Sequence, residues 1–246
     1  MLGRTMHGMS YNAVRDEVVV PQDFAQSIFT FAGGATGEEA PLRVLQGPLT
    51  QMRGTSKLEI DAVHNELFVP EGDNIKVFDL LANGNVAPLR ILRGPDTLLG
   101  ADSVTVDPVH DRLIVVGSLG SEKIPGNNRI LIFDSMAQGN AKPLSVITGP
   151  KTGLNGTFGV RVYPKTGFFA VSMDGPDTTA RPTVPTYVGV WNISDSGDVA
   201  PRYTVGGPGG KLQLPRGLDF DPKNKSLLVS DKILNAVLTY YLPEIF

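Results

Sequence analysis

One spacing recurs four times along this chain and constrains its fold more than any other feature. A glycine is followed four residues on by a proline, and six further on by Gly-Pro. The copies are Gly37, Pro41, Gly47-Pro48; Gly84, Pro88, Gly94-Pro95; Gly139, Pro143, Gly149-Pro150; and Gly197, Pro201, Gly207-Pro208. They recur at intervals of roughly 50 residues, the period of a repeat architecture. This period accounts for much of the excess of 28 glycines and 19 prolines among 246 residues. Collagen is excluded, because the glycines have no three-residue period.

The remainder of each unit repeats as well. An alternating segment ending in a turn follows each Gly-Pro: Glu59-Ile60-Asp61, Thr105-Val106-Asp107, Arg161-Val162-Tyr163 and Asp219-Phe220-Asp221. A fifth instance, Ser10-Tyr11-Asn12, precedes the first Gly-Pro. A second strand follows each, as at Leu67–Val69 and Leu113–Val116, then a third, as at Ile75–Phe78 and Ile130–Phe133. The Gly/Pro frame brackets a fourth. Four short strands per unit of this length predict a β-propeller, all-β, in which each blade buries its two apolar faces on its neighbours. The units fall at about 7–53, 54–100, 101–155, 156–213 and 214–246. The last lacks its outer strand. The expectation is therefore one propeller domain of five units, either an unclosed ring or part of a longer propeller.

Segments such as Asp102-Ser-Val-Thr-Val-Asp107 with Leu113-Ile-Val-Val116, and Pro215-Arg-Gly-Leu-Asp-Phe-Asp221 with Leu227-Leu-Val-Ser-Asp231, resemble NHL-type propeller repeats. That resemblance implies a fold and leaves function open.

Composition excludes several functions. Charged residues make up 19% and the formal net charge is −3, which gives no basic footprint for nucleic acid. There are no cysteines, hence no disulfide, thiolate metal site or cysteine nucleophile. No run of 18 apolar residues predicts a membrane-spanning helix. The segment Met1–His7 has no apolar signal core, so the chain as it stands reads as cytoplasmic, while a longer parent could carry a leader.

Candidate site residues come from aligning the units. Five positions before the end of each inner strand lie His7, Ser56, Asp102, Phe158 and Arg216; two positions before it lie Ser10, Glu59, Thr105, Arg161 and Asp219. Charges at the second set are costly unless hydrated by a central channel or paired. Glu59, Arg161 and Asp219 are therefore expected in the channel, as an ion-pair network or as functional groups. The loops after the second strands share the channel-mouth face. Two are enlarged, 117–128 and 172–186, and offer Asp174 and Asp177, with Asp231 at the matching place in the last unit. His64 and His110 share one offset and are expected to serve turns.

Two functions follow. The first is a binding module holding a small molecule or protein at the channel mouth. The second is a hydrolase of esters, lactones or phosphotriesters, similar to calcium-dependent lactonase and phosphotriesterase propellers. That resemblance implies Ca²⁺ on Glu59, Asp102 and Asp219, although the entry asparagines of that family are absent. A metal-free version would use His7 as base with Arg161 and Arg216 stabilising an anion. The apolar tail Tyr240–Phe246 beside an open strand edge predicts a homodimer through that segment or the first blade, with folding back on its own blade as the alternative.

Overall fold

The computed structural model describes residues 7–119, 126–175 and 186–246. Among these residues nineteen strands form five antiparallel sheets, and the chain is a five-bladed β-propeller. Blade 1 holds β1 (Ser10–Asn12), β2 (Glu17–Gln22), β3 (Ser27–Ala32) and β4 (Arg43–Gln46). Blade 2 holds β5 (Glu59–Asp61), β6 (Glu66–Pro70), β7 (Asn74–Asp79) and β8 (Arg90–Arg93). Blade 3 holds β9 (Ala101–Asp107), β10 (Arg112–Ser118), β11 (Asn128–Asp134) and β12 (Ser145–Ile147). Blade 4 holds β13 (Thr157–Tyr163), β14 (Phe168–Met173), β15 (Tyr187–Asn192) and β16 (Tyr203–Gly206). Blade 5 has only β17 (Pro215–Asp221), β18 (Ser226–Asp231) and β19 (Ala236–Tyr241), as the missing fifth frame predicts.

Each sheet is apolar on both faces. The trailing face, toward the preceding blade, carries Leu67 and Phe78 in blade 2, Leu113 and Phe133 in blade 3, and Phe169 and Trp191 in blade 4, all buried. The leading face, toward the following blade, carries Val19, Ile28 and Leu45 in blade 1 and Ile114, Ile130 and Ile132 in blade 3. Four core clusters result, joining blades 1 and 2, 2 and 3, 3 and 4, and 4 and 5. Among the described residues, no cluster joins blade 5 to blade 1. The ring has a seam there.

The Gly/Pro frame is an inter-blade lock. After β4, β8 and β12 the chain turns through glycines at φ 129°, 133° and 127° into 3-10 turns with proline at the first position. Buried Thr50, Thr97 and Thr152 each donate a hydroxyl hydrogen bond to the preceding glycine carbonyl, at 2.6 Å. The next blade closes the lock. Asn85 Oδ1 accepts the Leu49 N–H, Asn140 Oδ1 accepts the Asp96 N–H, and Asp198 Oδ1 accepts the Lys151 N–H. The first glycine of that next frame also pairs with the outer strand, through Leu45–Gly84, Leu92–Gly139 and Ile147–Gly197 bridges. The fourth Gly-Pro continues Gly209-Gly210 instead of x-Thr, has no following frame, and forms no 3-10 turn.

The inner strands end in side-chain-capped turns. Asp61 Oδ1 accepts the Val63 and His64 N–H groups, and Asp107 Oδ1 those of Val109 and His110. Both histidine rings sit 2.7 Å from the same carboxylates, which gives them the turn role expected. The C-terminal tail does not reach outward. Pro243–Ile245 forms a 3-10 turn, Ile245 is fully buried, Thr166 donates to its carbonyl at 2.8 Å, and Phe246 packs on Tyr163 and Phe220. The tail thus folds back, the alternative the sequence offered, and its end seals blades 4 and 5, while Tyr241 stays exposed.

Candidate functional site at the channel mouth

Two layers of inner-strand side chains line the channel. The deeper layer contains the predicted charges as one ion triad. Arg161 donates from Nη1 to Glu59 Oε1 at 2.8 Å and from Nε to Asp219 Oδ1 at 3.2 Å, linking blades 2, 4 and 5. Burial pushes the Glu59 carboxyl above the usual carboxylate range; Arg161 pulls it down and Asp219 pushes it up. Arg161 is held further into its charged form, chiefly by Glu59. The triad is thus the inter-blade network that unpaired charges would require.

The upper layer is built on three β-bulges. Register shifts between Ala101 and Ser103, between Thr157 and Val160 and between Pro215 and Leu218 set Asp102, Phe158 and Arg216 apart from the regular ladder, and Phe158 and Arg216 reach the mouth. In blades 4 and 5 a glycine follows, Gly159 or Gly217, whose N–H donates to Ser172 Oγ or Ser230 Oγ at 2.9 Å. A Cβ at Gly159 would strike the Arg216 carbonyl, so the close approach of blades 4 and 5 needs glycine there. Phe158 is buried, and two cations lie against its ring: Lys57 Nζ at 3.5 Å and Arg216 Cζ at 3.8 Å from the centroid. Lys57 also donates to Asp102 Oδ2 at 2.8 Å and to the Phe158 carbonyl at 2.6 Å. Arg216 lies 3.3 Å from fully buried Asp174. His7 meets the edge of Phe158, with centroids 6.0 Å apart.

Three of these groups border an open cavity of about 580 Å³. His7, Phe158 and Arg216 form one side; Ser230–Lys232 and Asn235–Val237 of blade 5 form the other. Its field is positive at His7. Desolvation lowers the His7 pKa, and Lys57 and Arg216 lower it further, against smaller opposing effects of Asp102 and Asp23. These effects favour the neutral imidazole.

Sequence reasoning placed His7, Phe158 and Arg216 in one layer, and the structure brings them together. The three carboxylates assigned to calcium are not brought together. Glu59 and Asp219 meet Arg161 in the deeper layer, and Asp102 meets Lys57 in the upper one. Among the described residues, no group of three histidine or acidic side chains is arranged to hold a metal. Ca²⁺ needs six to eight oxygens, and this donor set, saturated by cations, does not fit it. Arg161 is committed to the triad and does not border the cavity. Asp174 lies behind Arg216 instead of on the ligand face. Asp231 borders the cavity, but its oxygens accept the Gln213, Leu214, Ile233 and Leu234 N–H groups, which makes it a structural cap. Asp177 lies outside the described residues. Lys57 was missed. It lies one residue after the aligned position, and only the fold shows its ammonium reaching blade 4.

No known family model and no curated protein matches the chain. Solved structures do. One is Kuenenia stuttgartiensis hydrazine synthase, with TM-score 0.64 and 13% identity over 94% of this chain and 63% of that one. Another is a chain of a mitotic checkpoint complex, with TM-score 0.62 and 11% identity over 97% of this chain and 63% of that one. The chain thus spans less than two thirds of either. At such identities the likeness establishes the class, a five-bladed β-propeller, and the NHL resemblance stays a likeness of repeats.

Proposed function

We propose that this propeller is a binding module whose channel-mouth cavity takes a negatively charged group: a small anion with an apolar body, or an acidic side chain of a protein partner. The observation that carries this is Arg216 on the wall of an open cavity, lying on the Phe158 ring beside a second cation, Lys57, with His7 at the rim. Arg216 offers a planar donor fork, Phe158 and Val237 offer apolar contact, and Ser230 and Asn235 offer neutral hydrogen bonds. One fold neighbour belongs to a multiprotein complex, which agrees with protein partnering.

The test is calorimetric titration with phenyl phosphate, benzoate and benzylamine. The two anions should bind saturably and the cation should not. Arg216→Lys, which keeps a charge beside Asp174 but loses the fork, should weaken phenyl phosphate binding about tenfold. Absence of heat with both anions would refute the proposal.

A second reading rests on His7 and Arg216 bordering the same cavity. The imidazole would act as general base in ester or lactone hydrolysis, with Arg216 holding the developing oxyanion. Hydrolysis of aryl esters that His7→Ala abolishes would favour it; activity untouched by that substitution would exclude it.

A further inference from the structure

Among the described residues, two faces are left over by the inter-blade contacts: the trailing face of blade 1 and the leading face of blade 5. The blade 1 face carries Tyr11, Val18, Val20, Phe29, Phe31 and Val44 by register. Its Val18–Phe31 pair matches Leu67–Phe78, Leu113–Phe133, Phe169–Trp191 and Leu227–Tyr240, which all pack against a preceding blade. In blade 1 the pair is half-exposed and Tyr11 is 57% exposed. The blade 5 face carries Leu228, Ser230, Val237 and Thr239, with Val237 68% exposed. By register it matches Ala170, Ser172, Val188 and Val190, the leading face of blade 4. The two faces therefore have the chemistry of one more inter-blade interface, and among the described residues no core cluster joins them.

We infer that the trailing face of blade 1 is an interaction surface for the leading face of blade 5 of a second copy of this chain. The lock residues favour that occupant over a complete four-stranded blade. In blades 2 to 4 the residue after the frame glycine is Asn85, Asn140 or Asp198, whose carbonyl-type oxygen caps the preceding blade's Gly-Pro turn. Blade 1 has Glu38 there, exposed, with a longer side chain. A preceding blade with a Gly-Pro turn would lose its cap; blade 5 has no outer strand and no such turn. The contact is head-to-tail, so two different patches meet and either patch can be removed alone.

Sedimentation velocity on the full chain over a range up to high-micromolar concentration tests this without any ligand. The parent should self-associate. Val20→Lys, which charges the blade 1 face, and Thr239→Lys, which charges the blade 5 face, should each be monomeric with unchanged circular dichroism and melting, since neither side chain packs on another blade within the chain. An equimolar mixture of the two variants should form dimer, because each supplies the patch the other lacks. A monomeric parent overturns the inference. So does a Thr239→Lys variant that still dimerises, which would indicate a symmetric blade 1 contact, and so does a mixture that stays monomeric. Neither Val20 nor Thr239 borders the channel-mouth cavity, whereas Ser230 and Val237 belong to both surfaces. Anion titration is therefore run on the two monomeric variants, where binding should persist, which separates loss of anion binding from loss of association.

Discussion

Replacing Arg161 with methionine should destabilise the folded protein by about 2–3 kcal/mol at pH 8, the lower range for an unpaired buried charge because the guanidinium itself is partly exposed to the channel. The cost falls on Glu59, whose side chain is 11% exposed and would lose its counter-ion while staying near Asp219. Asp219 is 61% exposed and can hydrate instead. The sign of the pH dependence follows. The folded-state pKa of Glu59 already lies above its ordinary value, and losing Arg161 raises it further. An acid with a raised folded pKa destabilises the fold above that pKa, and the penalty vanishes below the unfolded value, about 4.3. The gap between parent and variant, measured by urea unfolding, should therefore narrow as pH falls from 8 toward about 4.3. Adding Glu59→Gln should recover most of the loss at pH 8, a coupling readable as a double-mutant cycle. A gap independent of pH would mean that the arginine stem, and not the ion pair, supplies the stability.

Gly94→Ala should cost about 2–3 kcal/mol, combining backbone strain with damage to the lock. Its φ of 133° is one that L residues rarely adopt, and its Cβ would overlap the Asn140 side chain that caps Asp96. The defect thus reaches two blades. Gly84→Ala provides the control: φ is 76°, no atom lies near the added Cβ, and the cost should be only about 1 kcal/mol of left-handed strain. Asn140→Ala alone should cost about 1 kcal/mol by leaving the Asp96 N–H uncapped, and should relieve part of the Gly94→Ala penalty when the two are combined. Full additivity would contradict the lock.

The architecture was legible because its markers are positional. Glycine at φ near 130° and proline at the start of a 3-10 turn are needed once per complete blade, so they repeat visibly, and their absence after residue 214 correctly foretold a three-stranded blade 5. The Glu59–Arg161–Asp219 triad was legible too, because charges between apolar alternating residues must find each other or water. What pairing each charge adopts was not legible. Asp102 reads as a ligand in isolation, and only the side-chain reach of Lys57 from the adjacent blade turns it into a structural partner. Asp231 and Asp174 read as ligand-face acids, because sequence does not reveal which backbone N–H groups or arginine a carboxylate will meet. The seam was half legible. The missing strand was countable, but the uncovered trailing face of blade 1 appears only when register assigns Val18 and Phe31 to the same side as their buried counterparts.

His7 reports directly on the proposed anion site at the channel mouth. Its imidazole pKa can be followed by NMR through the ring carbon resonances, with His7→Ala assigning the signal among three histidines. In the free protein the value should lie below that of an ordinary histidine, because Lys57 and Arg216 add to desolvation. Saturating phenyl phosphate should raise it, since a bound anion offsets those cations, and the rise should shrink in Arg216→Lys. A His7 that titrates as an ordinary histidine and does not respond to the anion would contradict the account.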